Sequence, residues 1–306
     1  MGAWTTADLL TAVKADAMSP SNQATLTDAN ILAFATDEML SFMVPAILGV
    51  KGGYFETVQD TTIVAGQASY SIPSRAIGGK LSNISVVDSQ GVETNVPVVE
   101  YNEDAAKMGG LVGYSYTVAY VRNYKVTLVP VPTGVTTLRM VYYARPGDLV
   151  LTTSAMQVAT VGGSSLVLDS ALSGLTTGVP FDIIQNNPGF TFLGIDQTAT
   201  VASATLTFTP PSGVAVDDWV ALAGQSPIPQ IPYELHPVLR IRTTARVMNA
   251  LGDQRAYELK MNQAEALQQQ MLKLLAPRVD RASHKIVNTN GPRPSGYRGR
   301  FPRLGS

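Results

Sequence analysis

The chain has 306 residues, 45% of them apolar, with a mean hydropathy of +0.11 and a formal net charge of −1. That length suits about two domains, and the near-neutral balance excludes a chain built as a whole to bind nucleic acid. Charged residues make up only 15% and cysteine is absent, so much of the surface is Ser, Thr, Gln and Asn or is covered in subunit contacts, and disulfides, thiolate metal sites and cysteine nucleophiles are ruled out.

The first residues, MGAWTTADLLTAVKADA, lack the basic-then-apolar layout of a secretion signal. Residues 5–17 predict a short helix, with Thr5 or Thr6 as cap, Asp8 in the first turn, and Leu9, Leu10 and Val13 on one face. After the loop SPSNQATL, Thr27 or Asp28 caps a second helix over 27–48. Ile31, Ala35, Met39, Phe42, Met43, Ala46 and Ile47 recur along it at three- and four-residue steps. Pro45 kinks this helix or begins a new turn, and Gly52-Gly53 stops it. Its most apolar window carries Asp37, Glu38 and Pro45, which argues against a membrane span, and the chain reads as soluble and not secreted.

From 55 to 146 the apolar period changes to two. Residues 55–73 predict a hairpin turning at Ala65-Gly66-Gln67, with Ala68, Tyr70 and Ile72 on one face. The strand at 84–88 leads into a Ser89-Gln90-Gly91 turn, and EYNEDAAKMG reads as a short helix or loop. A second hairpin is expected from Val126 and Leu128 through Pro132-Thr133-Gly134 to Leu138, Met140 and Tyr142. Residues 150–227 are rich in Thr, Ser, Gly and Val, in short strands separated by turn residues, and predict an inserted small β-barrel or sandwich. The Pro-punctuated SPIPQIPYELHP connects to two helices, Val238–Leu251 and Asp253–Leu275, parted by Gly252. Ala256, Leu259, Ala266, Leu267, Met271 and Leu274 form the apolar side of the second, and Pro277 ends it.

Few residues suggest chemistry. A nucleophile elbow, an HExxH zinc motif and a phosphate loop are missing, and neither IGGKL nor GGLVG meets a nucleotide-binding pattern. His236 and His284 have no second ligand at metal spacing, and His236 reads as a partly buried helix-terminal group. The carboxylate pairs Asp37-Glu38, Glu103-Asp104 and Asp217-Asp218 read as solvated surface, and Trp219 alternates like a core strand residue. No catalytic residue, metal or cofactor is therefore expected. The one marked signal is the end of the chain. From Arg278 onward seven basic residues face one acid, a net of +6, on a body whose 15 basic and 22 acidic residues leave −7. Tyr297, Phe301 and Leu304 interleave there with Arg293, Arg298, Arg300 and Arg303. This composition cannot build a core; it suits an extended arm that orders on a partner, a phosphate contact, or a solubilising end.

Taken in order, the stretches TDANILAFATDEML, FETVQDTTIVAGQASYSIPSRAIGGKLSNISVVD, YKVTLVPVPTGVTTLRMVYYARPGDLV and LAGQSPIPQIPYELHPVLRIRTTARVMNALGD resemble the head-to-tail adaptor (connector) proteins of tailed bacteriophages. The resemblance covers roughly residues 5–150 and 220–290. It implies a non-enzymatic virion protein at the head–tail interface, assembled in the host bacterial cytoplasm as a homo-oligomeric ring, usually of twelve copies. The ring sits beneath the portal protein, contacts a downstream tail or nozzle protein, and lets DNA pass through its channel without specific recognition. Arg293, Tyr297, Arg298, Arg300, Phe301, Arg303 and Leu304 then belong to the portal-docking arm. The expected class is α+β: N-terminal bundle helices (1–54), a β-ribbon region (55–149), the inserted β-domain (150–227), C-terminal helices completing the bundle (228–276), and the basic arm (277–306). The alternatives are another phage tail, tube or baseplate subunit, or a polysaccharide-binding or polysaccharide-cleaving tail protein.

Overall fold

Local hydrogen bonding fixes where the first helices begin. The structure, a computed structural model, describes residues 4–18, 26–99, 118–187 and 192–276. The readings made for EYNEDAAKMG, Glu103-Asp104, His284 and the 277–306 arm lie outside the described residues. Helix α1 (Thr6–Asp16) starts with a reciprocal cap: Asp8 N–H donates to the Thr5 hydroxyl, and Thr5 N–H donates to the Asp8 carboxylate at 2.9 Å. Helix α2 (Asp28–Val50) is capped by Thr27, whose hydroxyl accepts from Asn30 N–H. Helices α3 (His236–Ala250) and α4 (Gln254–Leu275) are separated by Gly252, at φ +86°, and Asp253 caps α4 by accepting from Ala256 N–H at 2.9 Å.

Inside α2 the chain widens into a π turn at Met39–Met43, directly before Pro45. Val44 N–H there reaches back five residues to the Met39 carbonyl, and the extra width absorbs the proline ring that a tight α turn would reject. Ile31, Ala35, Met39, Met43 and Ile47 are all buried, each four residues on from the last. Phe42, expected on that stripe, is 45% exposed. The helix is long and apolar enough to cross a membrane by composition, yet here its apolar side joins Leu9, Val13, Leu239 and Val247 in the core shared by all four helices.

The β-ribbon region forms two antiparallel sheets. Strands β1 (Glu56–Ile63), β3 (Ala76–Val87), β4 (Glu93–Asn95) and β7 (Thr136–Ala144) pair in the order β1-β7-β3-β4, and β2 (Ser69–Ser71), β5 (Val118–Arg122) and β6 (Lys125–Val129) in the order β2-β6-β5. Neither expected hairpin forms. β1 pairs with β7 and β2 with β6. The Tyr70 hydroxyl, donating to the Gln67 carbonyl at 2.9 Å and accepting Val64 N–H at 3.0 Å, turns the chain out of one sheet and into the other. β6 and β7 also sit in different sheets, because Pro130 and Pro132 cannot donate to a ladder between them. The hairpins that do form are β3–β4, which turns through Ser89-Gln90-Gly91 as expected, and β5–β6, closed by Asn123 and Tyr124, both at positive φ as a two-residue hairpin loop requires. Ile63, Ile84, Val126, Leu128, Leu138 and Met140 fill the space between the two sheets.

Seven further strands, β9 (Met156–Val161), β10 (Ser165–Leu168), β11 (Phe181–Ile184), β12 (Phe192–Gln197), β13 (Thr200–Ala202), β14 (Thr205–Thr207) and β15 (Trp219–Leu222), make one antiparallel sheet in the order β12-β11-β15-β9-β10-β14-β13. It curls into a half-barrel around Val158, Leu166, Phe181, Ile183 and Leu206. The expected small barrel or sandwich is met in part: the sheet curls only half-way round, and among the described residues β12 and β13 are its edges. The chain enters and leaves this sheet side by side, where β8 (Asp148–Leu149) runs parallel to β16 (Gln225–Ser226). Thr36 of α2 accepts from Leu149 N–H, and Thr6 of α1 donates to the Val150 carbonyl, fastening that junction to the helices. The described residues are thus mixed α+β, with four helices and several antiparallel sheets.

Candidate functional site

Arg242 and Arg246 are four residues apart on α3 and so share a face. That face meets Glu38 of α2, which is fully buried. Arg242 Nε donates to Glu38 Oε2 at 2.6 Å, and Arg246 Nε donates to Oε1 at 2.5 Å. The hydrogen bond that Arg246 donates to Glu38 raises its pKa above the ordinary arginine value. Arg242 also lies 4.4 Å from the centre of the Phe42 ring, a cation–π contact. The solvated reading of the Asp37-Glu38 pair is therefore half wrong: Asp37 is exposed, but Glu38 ties α2 to α3. Above this cluster α2, α3 and α4 leave a cavity of about 330 Å³, bordered by Phe42, Arg246, Tyr257, Met261 and Gln268.

A second buried carboxylate holds the half-barrel. Asp182 of β11 accepts from Arg75 Nη1 at 3.0 Å, from Gly224 N–H at 3.0 Å and from Asp196 N–H at 2.9 Å. Arg75 in turn donates to the Arg145 carbonyl. Burial pushes the Asp182 carboxyl up, against the opposing pull of these donors. Burial likewise raises the Tyr142 hydroxyl to about 12. On the surface, Arg139 bridges Asp60 and Glu93 at 2.9 and 3.0 Å, crossing β7 to reach β1 on one side and the β3–β4 pair on the other. Both carboxyls lie below their ordinary range, Asp60 through Arg139 and Glu93 through the Ser85 hydroxyl and then Arg139.

These groups are saturated, which limits their chemistry. Both oxygens of Glu38 and both of Asp182 already accept charged or backbone donors, so neither is placed to take a proton from a substrate. Asp218 is buried, its oxygens accepting from Asn186 and Ala215 N–H, so the solvated reading fails there too; it organises the turn that leads into β15. His236 opens α3 and is buried more deeply than expected. It stacks on Trp4 at 5.0 Å and hydrogen-bonds the Ile231 carbonyl through Nε2, and burial pulls its pKa down to about 4. Trp219 packs among Ala155, Ile184, Ala221 and Ile228, away from any position for stacking on a sugar. Among the described residues no three or more His, Asp or Glu side chains gather as a metal site.

The seven arm residues singled out from sequence, Arg293 to Leu304, lie outside the described residues. Sequence reasoning missed Arg75, Arg242 and Arg246. The run LRIRTTAR held a usable signal, because two arginines on the apolar face of a helix call for a buried acid. It also misplaced α4. Leu259 and Leu274, expected on the inward side, are 69% and 53% exposed, and Ala264 is the helix's only fully buried residue.

A family model described as SU10 adaptor protein matches residues 4–175. The chain belongs to the SU10 adaptor protein family. The match runs from α1 through both sheets of the ribbon region and into the half-barrel, ending before β11. Glu38 lies inside it and its two arginines outside, yet they share one core. Membership makes the chain a phage adaptor protein of a structural, generally non-enzymatic family. It implies a location in the virion and binding to other virion proteins. No curated protein matches the chain.

Proposed function

We propose that this adaptor assembles, in the host bacterial cytoplasm, into a ring of twelve copies that joins the capsid portal to the tail and encloses part of the DNA channel. The family match over residues 4–175 carries the proposal. The division into bundle helices, ribbon region, inserted β-domain at 150–227 and arm at 277–306 belongs to it. The helices set the spacing of the ring, and the ribbon region faces a downstream tail or nozzle protein. The arm docks on the portal, with Tyr297, Phe301 and Leu304 as apolar anchors among Arg293, Arg298, Arg300 and Arg303. Two features of the chain support this reading. Low charge suits broad subunit contacts, and a body carrying −7 without the arm repels phosphates, so a duplex slides past without being held.

The test mixes purified chain with portal rings, with and without residues 281–306, and images the product. Full-length protein should decorate one end of the portal and the truncated protein should not. Equal binding by both would remove the arm from portal docking, and no binding by either would overturn the ring-adaptor reading.

A further inference from the structure

Helix α4 has 22 residues and buries little of itself within its own chain. An α-helix turns about 100° per residue. Leu259, Gln263, Ala266, Gln270 and Leu274 therefore fall in one stripe about 80° wide, and that stripe contains no charged residue. The cavity described above lies on the opposite flank of the same helix, past Tyr257, Met261 and Gln268. Phe42, Tyr257 and Met261 supply the apolar part of its lining, with Phe42 45% exposed, and Gln268 and Gln269 add carboxamides. Its charges cancel: Glu38 is held by Arg242 and Arg246, and Glu265 on the rim brings the four groups to zero.

We infer that the Leu259–Ala266–Leu274 ridge of one copy seats in the α2–α3–α4 groove of the next copy, so that subunits join ridge to groove and head to tail. The inference rests on the ring reading above and names the surfaces that build it. An uncharged ridge of leucine, alanine and carboxamides meets a groove that offers it Phe42, Tyr257 and Met261 for the leucines and Gln268 and Gln269 for the carboxamides, with charges that sum to zero. Each copy carries one ridge and one groove on opposite flanks of a single rigid helix. A contact between two unlike faces held in fixed relation repeats under rotation, which is the condition for a closed ring. A self-matching contact would instead stop at a dimer.

The absence of cysteine makes the test clean. Leu259→Cys and Gln269→Cys are prepared as separate chains and as one doubly substituted chain, assembled on portal rings and oxidised mildly. Disulfide-linked pairs are expected when the two single variants are mixed but not from either alone, and the double variant should give a ladder of linked copies. Leu259→Lys with Leu274→Lys should raise the concentration for half-assembly by about tenfold or more, while circular dichroism and melting stay as in wild type, since both positions are exposed. Cross-linking by Leu259→Cys alone, or none in rings that imaging shows to be assembled, would overturn the ridge-and-groove contact and leave the adaptor reading standing. Failure of the wild-type chain to assemble at all would remove both.

Discussion

The helical core and the half-barrel each bury a carboxylate completely, and they satisfy it by different means. Glu38 in α2 receives two arginine side chains and no backbone group. Asp182 in β11 receives one arginine and two backbone N–H groups, from Asp196 and Gly224. The contrast follows from secondary structure. A helix commits its amides to its own ladder, so a buried acid on it must recruit side chains from a neighbour. A short strand among turns has free amides nearby and needs only one. The helical pair therefore fastens positions 204 residues apart through side chains alone, whereas the half-barrel's acid also fixes an irregularity in β12 at Asp196 and the turn after β15 at Gly224.

Asp182→Ala should have the largest effect. It leaves the buried Arg75 guanidinium and two N–H groups without an acceptor, and the expected loss is about 3–5 kcal/mol of unfolding free energy, read by chemical denaturation. Glu38→Gln should lose about 3 kcal/mol, because Arg246 can turn to solvent and only Arg242 is stranded. The comparison sharpens with paired replacements. Glu38→Leu with Arg242→Met should return to within about 1–2 kcal/mol of wild type. Asp182→Leu with Arg75→Met should not, since its backbone donors remain unmet. Equal recovery in both would break the distinction drawn here.

His236 makes a smaller contribution, one that depends on pH. Its folded pKa of about 4 lies below the unfolded value of about 6.5, so its stabilisation is present above pH 6.5 and is lost as pH falls towards 4, where the unfolded chain binds a proton that the folded chain refuses. The full difference is at most about 3 kcal/mol. Glu234, the nearby acid, opposes the shift only weakly. His236→Phe, which keeps a ring against Trp4, should flatten that part of the stability–pH curve relative to wild type. The smallest effect belongs to Arg139→Ala, which should leave the denaturation midpoint unchanged. Nuclear magnetic resonance titration should show the Asp60 and Glu93 pKa values rising back towards the ordinary carboxylate range.

What could be read from the sequence was what neighbours in the chain decide. Thr5, Thr27 and Asp253 cap their helices as their types foretell, and Leu138, Met140 and Tyr142 alternate as strand residues facing inward. Strand partners were not legible, because pairing is chosen across the fold. The turn after Ile63 looks like a hairpin turn until Tyr70 is seen to tie it into a corner. Burial of charge was equally hidden: Asp37 and Glu38 are identical in kind, and only the arginines 204 and 208 residues further on distinguish them. Leu259 and Leu274 read as core because they are leucines, and they turn outward because Leu267, Met271, Leu272 and Leu275 are the residues of α4 that face the core, beside the buried Ala264.

The π turn in α2 makes one helix serve two phases. Apolar residues spaced strictly by four drift about 40° per step around an ordinary α-helix, far enough over sixteen residues to carry Ile47 off the face that Ile31 begins. The single surplus residue between Met39 and Met43 takes back about 100° of that drift and keeps Ile47 on the buried side. Deleting one residue there would leave composition and hydropathy almost untouched, yet would swing everything from Val44 to Val50 by about 100° and aim the wrong side of the second half at α4. Insertion tolerance along this helix should therefore be asymmetric, with the seam at residues 39–43 the place where a frame of packing is either kept or lost.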